Sequence, residues 1–384
     1  MHYPLAAWQD TALEWPNIAD QCQDIKILFL DLDGTLFDDD GHIPASGRRA
    51  LGEIADSGLQ IAIVTGRGLR RKAEVLDQLN PLRPNFLVFG HGASCLERNR
   101  KGTYDLLRVP TKRGLKIVEH KFLDAALTQE FATRLRRAIE QDGGHLTLGA
   151  ESPSPLVRVS DSFPLDQTIL DEPIEQRLPE KELLRVNDNF KLYLHSDSHN
   201  RTQIRDIAQG IRDDMVERYG ALAQFRVAYS HGEMAELCPP GVDKSVATGL
   251  VLKRSGWQKK NVAGAGDELP DLGIAAHARY FFWPKPNPAQ WSPTDHEMAH
   301  QLTLLRTARS NVERPSPNSE LNIVQVPSNL HGGVLHTLAD LITRQHAATT
   351  REAHARARAL NAKNVHITSP MMAPHQSNSR RQCR

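Results

Sequence analysis

The stretch from Ile25 to Leu36, Ile-Lys-Ile-Leu-Phe-Leu-Asp-Leu-Asp-Gly-Thr-Leu, constrains this chain more than any other. Its apolar run predicts a buried strand that ends abruptly in two carboxylates one residue apart, followed by Gly-Thr. Residues two apart in an extended segment point to the same side, so Asp31 and Asp33 address one small volume at the strand's carboxyl end. Open α/β sheets bind their ligands at that edge.

The chain then repeats the pattern. After the polar turn Phe37 to Gly41, Ser46 is placed to cap a helix with Leu51, Ile54 and Ala55 on one face and Gly58 as its stop. An apolar run from Leu59 to Val64 breaks into Thr65-Gly66-Arg67-Gly68, Leu69, Ala73 and Leu76 follow at helical spacing, and Phe86 to Phe89 gives a third strand ending in Gly90-His91-Gly92. Strand alternating with helix implies right-handed crossovers and a doubly wound parallel sheet of the α/β class. From about residue 98 the rhythm changes to short strands and two longer amphipathic helices, one centred on Phe131, Leu135 and Ile139, the other carrying Ile204, Ile207, Ile211 and Met215. Residues 24–97 therefore read as the first part of a core, 98–234 as an inserted α+β domain, and 235–345 as the second part of the core. Lys244 lies near a helix start, and a strand at Asn261 to Gly264 runs into Gly266-Asp267-Glu268-Leu269-Pro270-Asp271. Tyr280 to Phe282 and Ile323 to Val326 predict further strands, separated by a Pro-rich polar insertion over 284–320, with a closing helix from Gly332 to Leu341. Residues 1–23 form an amino-terminal extension. The tail over 346–384 is basic and expected to be largely disordered, with Thr349 and Glu352 spaced as a capping box.

Charge narrows the function classes. Lys plus Arg number 47 against 46 Asp plus Glu, a balance that argues against a dedicated nucleic-acid or membrane-surface protein. Four scattered cysteines show neither metal-ligand spacing nor a disulfide framework, and no apolar run approaches the ~18 residues of a membrane span. The expectation is a soluble cytoplasmic protein, monomer or homodimer.

Asp31 and Asp33, Thr65, Lys244, and Asp267 with Asp271 should all reach the same edge of one sheet. Together they suit phosphoryl transfer to a carboxylate. Asp31 is the candidate nucleophile, and Asp33 the acid that protonates a leaving oxygen and later activates water. Thr65 and Lys244 can hold phosphoryl oxygens, with Gly66 and Arg67 completing the binding turn. An anionic nucleophile approaching an anionic substrate needs a divalent cation. Mg²⁺ suits the oxygen ligands available from Asp31 and Asp267, the backbone carbonyl of Asp33, and Asp271 as ligand or support.

Asp31-Leu32-Asp33-Gly34-Thr35-Leu36, Thr65-Gly66-Arg67, Lys244 and Gly266-Asp267-x-x-x-Asp271 resemble, in order, the four motifs of the haloacid-dehalogenase-like (HAD) phosphohydrolases. The resemblance spans about residues 25 to 345, and the large insertion matches the branch with an α/β cap that includes Cof-type, sucrose-phosphate and trehalose-phosphate phosphatases. It implies a Rossmann-like core, Mg²⁺ dependence, an aspartyl phosphate on Asp31 and substrate choice set by the cap. The expected substrate is a small phosphate ester, most naturally a sugar phosphate. A hexose phosphomutase and a non-catalytic phosphate-ester-binding protein are the alternatives. Pro270 stands where many relatives carry Asn, which removes donors beside Asp271. Asp271 is equally suited to favouring a helix amino terminus and to supporting the metal. Lys191, Tyr193 and His195 share one face of a strand, read as the wet side of a sheet rather than a roof over the substrate. His91 reads as structural, and Glu236 as a hinge or sugar contact.

Overall fold

A computed structural model describes residues 12–14, 24–152, 157–160, 163, 174–186, 188–229, 234–285, 287–310, 320–328, 332–347, 350 and 355. In chain order, β1 (Ala12–Glu14) precedes β2 (Ile27–Leu30), α1 (Arg48–Ala55), β3 (Gln60–Val64), α2 (Lys72–Gln78) and β4 (Phe86–Phe89). Next come β5 (Ser94–Arg98), β6 (Tyr104–Leu106) and a hairpin of β7 (Arg108–Thr111) and β8 (Gly114–Ile117). The insertion holds α3 (Ala125–Gln141), β9 (Leu146–Glu151), β10 (Val157–Ser160), β11 (Ile174–Leu178), β12 (Lys191–Ser196), α4 (Arg201–Tyr219), β13 (Arg226–Tyr229) and β14 (Ala235–Cys238). The chain returns through α5 (Lys244–Ser255), β15 (Val262–Ala265), β16 (Tyr280–Trp283), α6 (Pro293–Ser310) and β17 (Asn322–Gln325), and closes with a helix over 333–347.

The large sheet has the order β1-β17-β16-β15-β2-β3-β4-β5-β6. Every pairing from β1 to β4 is parallel; β5 and β6 add on antiparallel. Helices cover both faces, so the central strands are buried on both sides and read as continuous apolar runs, Ile-Leu-Phe-Leu in β2 and Tyr-Phe-Phe-Trp in β16. Phe29, Phe281, Phe282 and Trp283 are fully buried, each side chain stabilising the fold by about 1.5–3 kcal/mol. From β2 the chain winds one way through β3 and β4; from β15 it winds the other through β16 and β17. The order reverses between β2 and β15, a switch point where such sheets leave a crevice.

The smaller sheet, β11-β10-β9-β12-β14-β13, sets one face of leucines against α3 and α4. α4 begins with a complete capping box, Asn200 accepting from the Gln203 backbone and Gln203 returning the bond.

Several expectations are corrected. β5 and β6 still belong to the large sheet, and β14, past residue 234, pairs with β12 and β13 in the small one, so the change of sheet does not fall at the expected bounds of 98 and 234. The segment over 284–320 holds the 18-residue helix α6, whose Met298, Ala299 and Leu302 pack into the core. α1 begins at Arg48 after a 3-10 turn, without a side-chain cap from Ser46. Lys191 and Tyr193 are buried, so their face of β12 is not wet. Strand β1 pairs with β17, while residues 1–11, 15–23 and nearly all of the tail, including Thr349 and Glu352, lie outside the described residues. No helix among the described residues is long and apolar enough to cross a membrane.

Candidate active site

β2, β3 and β15 are neighbours in the sheet, and their carboxyl ends deliver Asp31, Thr65 and Asp267 to one crevice. Lys244, the first residue of α5, completes it. Asp243 caps that helix by accepting from the Val246 backbone at 2.7 Å, which fixes where Lys244 emerges.

Lys244 Nζ donates to Asp31 Oδ1 at 2.7 Å and to Asp271 Oδ1 at 2.6 Å. Asp271 Oδ2 in turn accepts from the backbone N–H groups of Asp267 and Glu268, both at 3.1 Å. Both Asp271 oxygens are thus engaged in shaping the loop and orienting Lys244. Pro270 sits at the start of the Leu269–Asp271 3-10 turn, where a missing N–H leaves nothing unbonded. Thr35 Oγ1 donates to Asp267 Oδ1 at 2.9 Å. Gly34 makes this approach possible: its φ of +71° suits glycine, and a Cβ there would overlap the Asp267 carboxylate.

Asp33 is grasped by Arg67, with Nε at 2.9 Å from Oδ2 and Nη2 at 2.5 Å from Oδ1, while Nη1 reaches Glu74 at 3.2 Å. Arg67 therefore binds a carboxylate of the chain itself and steadies Asp33, with its guanidinium over the Phe37 ring. The Arg67 backbone N–H donates to Thr65 Oγ1 at 3.1 Å.

Asp31, Asp267 and Asp271 each offer an oxygen within 4.8 Å of the others, and all three are buried. Burial, then the charge of Asp271, pushes the Asp31 carboxyl well above its ordinary range, with Lys244 opposing. Burial and Glu268 push Asp267 up as well. Burial alone would lower Lys244, but Asp271 and Asp31 more than offset it and hold the ammonium above its usual value. Three buried carboxylates against one ammonium leave an excess of two negative charges, and this donor set fits a hard divalent cation.

The model of the haloacid dehalogenase-like hydrolases matches residues 28–281. The chain belongs to that family. It is 22% identical over 256 residues to 5-amino-6-(5-phospho-D-ribitylamino)uracil phosphatase of Bacillus subtilis, covering 66% of this chain and 82% of that one. Among solved structures, the HAD phosphatase BT1666 from Bacteroides thetaiotaomicron aligns with a TM-score of 0.55 at 16% identity, over 83% of this chain and 96% of that one. The HAD subclass IIB sugar phosphatase BT4131 aligns with a TM-score of 0.54 at 15% identity, over 82% and 97%. The fold of this HAD hydrolase is that of HAD phosphatases.

Under the cap lies a second set of charges that sequence patterning assigned otherwise. Lys191 Nζ donates to Glu236 Oε1 at 2.9 Å, Glu236 Oε2 pairs with His91 Nε2 at 2.9 Å, and Tyr193 donates to Glu151 Oε2 at 3.0 Å. Burial pushes His91 down to about 3, so the neutral ring donates its Nε2 proton to Glu236. Glu236, though buried, is held well below its ordinary value by Lys191 and His91. Glu151 was missed altogether. Its signal was the alternation Thr147, Gly149, Glu151 along β9, opposite the alternation in β12. His195 meets Thr147 at 3.2 Å and His199 meets Ser198 at 2.9 Å, so the two histidines go to separate partners.

Proposed function

We propose that this HAD hydrolase is a Mg²⁺-dependent phosphatase of a small phosphorylated metabolite with a sugar or sugar-alcohol leaving group. The observation that carries the reading is Lys244 bridging Asp31 and Asp271 at a sheet switch point, with Asp267 beside them. Lys244 fixes Asp31 Oδ1, so Oδ2 is the atom presented for attack. Asp31 attacks phosphorus in line; the bond to the leaving oxygen breaks while Asp33 gives that oxygen a proton. Asp33 then takes a proton from water, which attacks the aspartyl phosphate and releases phosphate from Asp31. Thr65 and Lys244 hold phosphoryl oxygens as charge redistributes. Arg67 keeps the Asp33 carboxyl aimed at the crevice. The Asp31 and Asp267 carboxylates and the Asp33 carbonyl would hold a divalent cation, which would supply charge neutralisation. The cap seated over the crevice excludes water and shapes the leaving-group site. The relatives' names, a phosphoribityl phosphatase and a sugar phosphatase, support the substrate class.

The test is phosphate release from a panel of sugar phosphates, sugar-alcohol phosphates and other esters, with and without Mg²⁺, for the wild type and Asp31→Asn. Turnover that needs both the metal and Asp31 is expected. Folded protein that releases no phosphate from any ester, or that interconverts hexose phosphates without release, overturns the reading.

A further inference from the structure

Strand register places Arg226, Glu236, Lys191 and Glu151 on one face of the cap sheet across four adjacent strands, the face turned to the core. Lys191, 4% exposed, is the centre of that row. Its ammonium has three protons to donate. One goes to Glu236; Glu151 Oε2 lies 3.3 Å away; and a further bond leaves the cap, reaching the backbone carbonyl of Gly66 at 3.0 Å. The cap is closely seated here: a Cβ on Gly68 would fall on Glu151 Oε1.

The Gly66 carbonyl and the Arg67 N–H belong to the same peptide group, and that N–H donates to Thr65 Oγ1. A hydroxyl has one proton and two acceptor sites. With one acceptor site filled by Arg67, the Thr65 proton is directed elsewhere, and Thr65 is completely buried beside Asp31's strand. A charged donor on the carbonyl end of a peptide polarises its N–H end, and in a low-dielectric setting such chains strengthen one another. We propose that Lys191 is a positioning residue for phosphoryl transfer: from the cap, through the Gly66–Arg67 peptide, it orients the Thr65 hydroxyl toward the phosphoryl group. Cap seating is thereby registered at a phosphate-holding group of the core. This rests on the reading of Thr65 as a phosphate ligand.

The experiment measures orthovanadate affinity in Mg²⁺, because vanadate mimics the phosphoryl group and carries no leaving group. Lys191→Met is expected to weaken binding about five- to tenfold, the worth of one hydrogen bond, and to cause no further loss in a Thr65→Ala background. Because Lys191→Met strands Glu236 and Glu151 in the interior, the triple variant Lys191→Met/Glu236→Gln/Glu151→Gln, which removes all three charges together, is measured beside it and should show the same loss and the same dependence on Thr65. Unchanged vanadate affinity in a folded variant overturns the proposal. So does a loss undiminished by Thr65→Ala, which would mean that Lys191 acts through its charge alone. A wild-type protein that binds no vanadate and hydrolyses no ester would instead sink the phosphatase reading.

Discussion

Lys244 sits at the first residue of a helix, the end where a cation is least favoured, and two buried carboxylates hold it there. Removing it leaves both carboxylates without their counter-charge. Lys244→Ala should therefore destabilise the protein by about 3–5 kcal/mol, read from urea unfolding in the absence of divalent ions, as well as abolish turnover. Gly34 makes a different demand. Gly34→Ala forces a Cβ into left-handed backbone, costing about 1–2 kcal/mol, and also displaces Asp267. Its activity should fall by far more than its modest loss in melting temperature accounts for. The residues of this cluster were legible in the sequence because each ends a strand or starts a helix, and the sheet's topology alone brings such positions together. The partners were not. Nothing in the spacing of Asp33 and Arg67 says that they bind each other, and nothing near Asp271 says that both its oxygens are taken by Lys244 and two backbone N–H groups.

Among elements, the parallel strands were the most legible, because burial on both faces leaves unbroken apolar runs such as Phe86–Phe89. Helix α6 was hidden by its prolines. Its start was nevertheless written in Ser292 and Asp295, whose side chains cap each other's backbone N–H at 3.2 and 2.9 Å, followed by Met298 and Leu302 one turn apart. Met298→Ala should cost about 2–5 kcal/mol in chemical denaturation, because it empties a fully buried position in the core. The β12 face misled for a related reason. Polar residues alternating with apolar ones mark a sheet with one solvated face, yet here that face is covered by the core and its charges answer one another.

Over the whole molecule, the contact between core and cap runs through His91, held at φ +55° between two glycines and neutral in the fold. An unfolded histidine protonates near 6.5, whereas this one resists down to about 3. In that window the unfolded chain binds a proton that the native chain does not, so the contribution of His91 is intact above about 6.5 and is lost as pH falls toward 3, by up to about 1.4 kcal/mol per pH unit. His91→Asn, a residue at ease in left-handed backbone, should flatten the acid limb of the stability curve over that range, as urea midpoints at successive pH values would show. The same architecture has a consequence in time. β2 and β15 lie side by side, but the bond that joins their ends, Thr35 to Asp267, closes a loop of 232 residues containing the entire cap. The cap's own pairings are short-range by comparison, so it can fold while the central strand of the core still waits for its neighbour. On a chain emerging from the ribosome, Asp31 would be made long before Lys244, Asp267 and Asp271, and would find its catalytic surroundings only once they had followed.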